Sequence, residues 1–112
     1  MEYVERSLLI VRPRQPFADW VNRLDPAKVG FDLEEHRREP VAYLVDNPND
    51  HDELDRVLRS CWRDIFEAEL DGWLRDPNLW PGNRTLRMFK QWFDCEFVVS
   101  VMDQGNEPIY GH

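Results

Sequence analysis

Several things are scarce in this chain of 112 residues, and each scarcity excludes something. Cysteine is limited to Cys61 and Cys95, 34 positions apart and without CxxC spacing, so neither a disulfide scaffold nor a thiol redox motif is expected. Two packed thiols are the expectation. No apolar run approaches the ~18–20 residues of a membrane span. The amino terminus, MEYVERSLLIVRPR, carries acids early and only the short run Leu8 to Val11, without the basic and long apolar regions of a signal peptide. A cytoplasmic protein that does not engage membranes is expected.

Positive charge is also short. The chain has 14 Lys plus Arg against 22 Asp plus Glu, a net charge of -8. Affinity for phosphate backbones comes chiefly from Lys and Arg, so nucleic acid is not an expected partner, whereas a basic protein is. Arg outnumbers Lys, and its fork geometry suits pairing with the many carboxylates. HExxH, GxSxG, GxGxxG and GxxxxGK[ST] are all absent, and His36, His51 and His112 lie far apart, so no cofactor is implied.

Aromatic residues are plentiful, with five Trp, six Phe and three Tyr. That is more apolar payload than a disordered chain carries, and the length suits one domain over residues 1–112. The run Ser7 to Val11 predicts a strand buried on both faces. After Pro16, the positions Phe17, Trp20, Val21 and Leu24 have helical spacing. Residues 26–40 read as a connection, in which Asp32 and Glu35 can cap one helical turn. Val41 to Val45 predicts a second strand, ended by DNPND.

The clearest helix runs from about Asp52 to Leu74, with a wide apolar stripe through Leu58, Trp62, Ile65, Phe66 and Trp73, capped by Asp50 and Glu53. Turn residues follow, then a helix over about Arg84 to Phe93 and a third strand over Phe97 to Met102. Residues 103–112 read as a loose tail. The fold class is therefore α/β, with α+β as the variant: a small three-stranded sheet covered by helices in the order β-α-β-α-α-β. Right-handed crossovers put the first strand in the middle, and an open sheet edge favours a homodimer.

Three constellations could carry chemistry. Glu69 falls inside the apolar stripe, where a carboxylate needs a partner or a proton. It is either an anchor held by Arg84, Arg87 or an indole N–H, or a tuned catalytic acid or base. Asp46 to Glu53 gathers acids and His51 at a strand exit, with Asp46, Asp50 and Asp52 as metal candidates; the alternative is a turn and helix cap. Arg84 and Arg87, with Trp80 nearby, could hold an anion, or could form a solvated basic face. Trp62, Trp73, Trp80 and Trp92 are expected in the core between the two later helices.

The run ELDGWLRDPNLWPGNRTLRMFKQWFD, residues 69–94, followed by an apolar strand, resembles an uncharacterised family of small bacterial α/β proteins with a Trp-rich WPxNRT-like segment, over roughly residues 40–103. The resemblance implies that kind of fold and supplies no activity, cofactor or catalytic residue. The functional expectation is a non-catalytic interaction protein whose acidic surface meets a protein partner, as an immunity protein, antitoxin or inhibitor would. The alternative is a small metal-dependent or acid/base hydrolase using Glu69 or the Asp46 to Glu53 loop, with Arg84 and Arg87 holding an anionic substrate.

Overall fold

Strand β2 (Ser7–Pro13) organises the molecule, because its side chains alternate between sealed and half-covered positions as the two-residue strand period requires. Ser7, Leu9, Val11 and Pro13 are buried on the helix side, while Leu8, Ile10 and Arg12 lie half-buried on the other. The expectation of burial on both faces is thus corrected to one sealed face. The structure is a computed structural model and describes residues 2–24, 30–46 and 54–105.

Strand β1 (Glu2–Val4) precedes β2, and helices α1 (Gln15–Leu24) and α2 (Leu33–Arg38) lead to β3 (Val41–Val45). Helix α3 (Leu54–Asp71), a 3-10 turn at Pro77–Leu79, helix α4 (Leu86–Trp92) and strands β4 (Phe93–Val98) and β5 (Val101–Asp103) complete the order. These are helices with antiparallel sheets, a mixed α/β fold. The larger sheet has the order β3-β2-β4, so the first long strand is central as expected. Both its neighbours are antiparallel, which corrects the expected crossovers: Leu9 stands opposite Tyr43 on β3 and Phe97 on β4.

Residues 26–40, read from sequence as a connection, hold more than a loop. They contain α2, whose start is capped by Asp32 accepting the Glu35 N–H at 3.1 Å. Among the described residues two helices, α1 and α2, lie between β2 and β3, and the two strands run antiparallel. On the other side α4 passes into β4 with no loop between Trp92 and Phe93.

The expected third strand is split. Its first part belongs to β4 and its last to β5, which pairs antiparallel with β1 in a separate two-stranded ribbon. Asp103 is therefore part of a strand, not of a tail; residues 106–112 of that expectation lie outside the described residues. Ser7 donates its hydroxyl to the Val99 carbonyl at 3.0 Å and ties the two sheets at their junction.

Four phenylalanines from four elements meet in the core: Phe17 of α1, Phe66 of α3, Phe89 of α4 and Phe93 of β4, all buried. Phe93 lies 5.1 Å from Phe17, 5.6 Å from Phe66 and 5.1 Å from Phe89, ring centre to ring centre. Burying each ring stabilises the fold by about 1.5–3 kcal/mol. Trp20 is buried beside them, and Trp62, Trp80 and Trp92 pack half-buried on this core. Trp73 does not: it is 44% exposed, against the expectation of a buried stripe position. Among the described residues no helix is long and apolar enough to cross a membrane.

Candidate functional site

Glu69 lies in the last turns of α3, four residues after the buried Ile65 and next to the buried Leu70. Its side chain turns toward β3, where Tyr43 meets it. The Tyr43 hydroxyl donates to Glu69 Oε2 at 2.5 Å. Neither Arg84, Arg87 nor an indole N–H takes that part, which corrects the sequence reading. Among the described residues Glu69 Oε1 has no hydrogen-bond donor.

Burial raises the Glu69 carboxyl above the usual carboxylate range, and the Tyr43 hydrogen bond and the charge of His36 pull only partly the other way. Burial also raises the Tyr43 hydroxyl, and its hydrogen bond to the carboxylate and the carboxylate charge add to that, so Tyr43 stays a protonated donor. The pair is a carboxylate held by one neutral donor in a half-dry place.

That place is a cleft of about 260 Å³ between α2, β3 and the end of α3. Phe31, His36, Glu39, Glu69 and Trp73 line it, over a floor that includes Val11 and Phe17. His36 stacks on Phe31 with ring centres 4.3 Å apart at 14°. Trp73 stands at 61° to Phe31 and 71° to His36, so the three rings form a corner.

Helix α2 is held as the wall of this cleft by polar ties, since it has no buried residue of its own. The Phe31 N–H donates to Asn22 Oδ1 of α1 at 2.8 Å. Arg37 donates to the Pro13 carbonyl at 2.9 Å and reaches Asp94 of β4 at 2.8 Å.

The basic candidates lie elsewhere. Arg84 Nη2 is 3.6 Å from Glu67, its Nη1 donates to the Pro81 carbonyl at 2.8 Å, and its guanidinium covers Trp80 at 5.6 Å. Trp80 donates its indole N–H to the Leu74 carbonyl at 2.7 Å. Asn83, with φ of 52°, turns the chain into this corner, a left-handed conformation that Asn tolerates better than most residues. Residues 67 and 69 are 200° apart on the helix wheel at ~100° per residue, so Arg84 and Glu69 serve opposite faces of α3. Arg87 is exposed on α4. The expected grouping of Glu69, Arg84, Arg87 and Trp80 does not form.

Asp46 is exposed and lies 3.7 Å from Arg6, while Asp50 and Asp52 fall outside the described residues. Among the described residues no three His, Cys, Asp or Glu side chains come together to hold a metal. Cys61 and Cys95 are free and half-buried, and burial, with Cys61 and Asp94 nearby, pushes the Cys95 thiol up to about 12. Tyr43, His36, Phe31 and Glu39 are the site residues that sequence reasoning missed. The Asp32 cap was the one signal that a helix, and so His36, was being positioned here.

Comparison of the chain with protein-family models, with curated proteins and with solved structures gives no match. Function is therefore read from the cleft itself.

Proposed function

We propose that this chain is a non-catalytic cytoplasmic binding protein that docks a basic protein partner on the face around the Glu69 cleft, in the manner of an inhibitor, immunity protein or antitoxin. The observation that carries the reading is Trp73, 44% exposed at the mouth of a cleft whose ionisable wall residues, among the described ones, are two glutamates and a histidine. Tryptophan anchors surrounded by polar rims dominate many protein interfaces. The net charge of -8 favours rapid, salt-sensitive encounter with a basic surface. The immobilised chain should retain its partner at low salt, lose it at high salt, and lose it when Trp73→Ala is used. Retention of nothing at either salt counts against the reading, and retention indifferent to Trp73→Ala moves the docking face elsewhere.

A homodimer is a companion proposal, supported by the outer edge of β3, where Val41 and Leu44 are exposed. Sedimentation at rising concentration tests it. The second functional reading, an acid/base hydrolase, is supported by the raised Glu69 carboxyl beside His36 in an open cleft. It requires turnover of some ester, amide or glycoside that Glu69→Gln abolishes while the fold is kept.

A further inference from the structure

We infer that the Glu69 cleft is a receptor for an organic ammonium group, held by the Phe31–His36–Trp73 corner and the carboxylates of Glu69 and Glu39. This deepens the docking reading and rests on it, because it says what chemistry the partner presents.

Carboxylates predominate on the walls. Among the described residues the ionisable ones lining the cleft are Glu39, Glu69 and His36, two acids against one group that can carry positive charge. The nearby Arg37 is already engaged by the Pro13 carbonyl and by Asp94 at 2.8 Å. Glu69 is half-buried and keeps Oε1 without a donor among the described residues, so an incoming N–H or N-methyl group meets an acceptor that the Tyr43 hydrogen bond and the charge of His36 offset only in part. Tyr43 faces Glu69 as a neutral donor and adds no positive charge.

The rings supply the second half of the recognition. A cation is attracted to the face of an aromatic ring, most strongly to tryptophan, and not to the positive ring edge, so the faces turned to the cleft carry the attraction. Trp73 stands at 61° to Phe31 with its centre 5.0 Å away, an edge-to-face contact, so the two rings form one L-shaped aromatic wall of the cleft. A cleft of about 260 Å³ sits just below the ~300–1,000 Å³ range of small-molecule sites, and so admits a head group but not a drug-sized ligand. An alkylammonium head fits the charge, the aromatic lining and the size. An anion is opposed by both carboxylates, and a neutral apolar group gains nothing from them.

The test is calorimetric and NMR titration of the full chain with tetramethylammonium, with blocked lysine and blocked trimethyl-lysine, and with the uncharged tert-butyl analogue 3,3-dimethylbutanol. The ammonium ligands should bind and move the Trp73 indole signal, and the uncharged analogue should bind at least about tenfold more weakly. Tetramethylammonium binding without that of the blocked lysines assigns the site to a free small amine; stronger binding of either blocked lysine assigns it to a protein side chain. Trp73→Ala and Glu69→Gln should each weaken binding about three- to thirty-fold, and Trp73→Phe should restore most of the loss. Circular dichroism checks that each variant is folded. Equal binding of the charged and uncharged ligands, no binding of any, or binding untouched by Trp73→Ala overturns the inference. Partner retention with no ammonium binding refutes this inference and leaves the docking reading standing; ammonium binding with no partner at any salt does the reverse.

Discussion

The two faces of the last turns of α3 each present a glutamate to a tryptophan-bearing neighbourhood. On one face Glu67 lies 3.6 Å from Arg84, which also covers Trp80 and holds the Pro81 carbonyl, while the Trp80 indole holds the Leu74 carbonyl. On the other, Glu69 has one donor among the described residues, Tyr43, and faces a cleft beside a half-exposed Trp73. Glu67 is paired with a cation, although Arg84 Nε in that corner is buried without a hydrogen-bond partner, whereas Glu69 among the described residues meets only a neutral hydroxyl. Composition near a motif therefore says little; the number of partners already engaged says whether a group is free to bind.

Substitutions can break that contrast in graded ways. Trp80→Ala removes a half-buried ring, its hydrogen bond and the platform under Arg84, and should cost about 3 kcal/mol in urea unfolding with the cleft's binding unchanged. Tyr43→Phe takes away the donor that Glu69 has and should cost about 1.5–3 kcal/mol by the same measurement, since a charged acceptor is left unpaired. It should also raise the Glu69 carboxyl further.

Glu69→Gln keeps an acceptor for Tyr43 and removes the charge. The Glu69 carboxyl has a folded value above its unfolded one, so its contribution to stability is fully present below the ordinary carboxylate value and is lost as pH rises through the raised one. Tyr43, His36 and Glu39 surround it and do not change in the variant. The variant should therefore gain on the wild type as pH is raised from about 4 to about 7, read from unfolding midpoints at each pH. A difference independent of pH would contradict the burial of that carboxyl.

The smallest effects should come from Trp73→Ala and Glu67→Gln. Trp73 is half-exposed, and its loss should cost no more than about 1 kcal/mol while weakening ligand binding about three- to thirty-fold, the reverse of Trp80→Ala. Glu67→Gln breaks a partly exposed ion pair worth about 0–1 kcal/mol and should leave binding alone.

Much of the frame was legible in the sequence. The periodic runs located β2, β3, α1, α3 and α4 within a few residues, because their apolar spacing reports which face is buried. Helix α2 was visible only as the Asp32 and Glu35 cap, since it has no buried residue to leave a pattern. Strands β1 and β5 pair with each other at three positions per strand, too short for periodicity to register.

Of the site, Glu69 stood out as a charge in an apolar stripe. Its partner did not, because Tyr43 comes from a strand 26 positions away and its position depends on strand register. Trp73 was misread for a related reason: α3 ends at Asp71, so a residue two positions later no longer follows the helix wheel.

Glu69 is a partly desolvated carboxyl group, incompletely paired among the described residues and open to an aromatic cleft. Carboxyl NMR of Glu69 across pH, with and without tetramethylammonium, tests this most directly. The account predicts a midpoint above the ordinary ~4.3 that falls when the cation is added. An ordinary midpoint, indifferent to the cation, would contradict it.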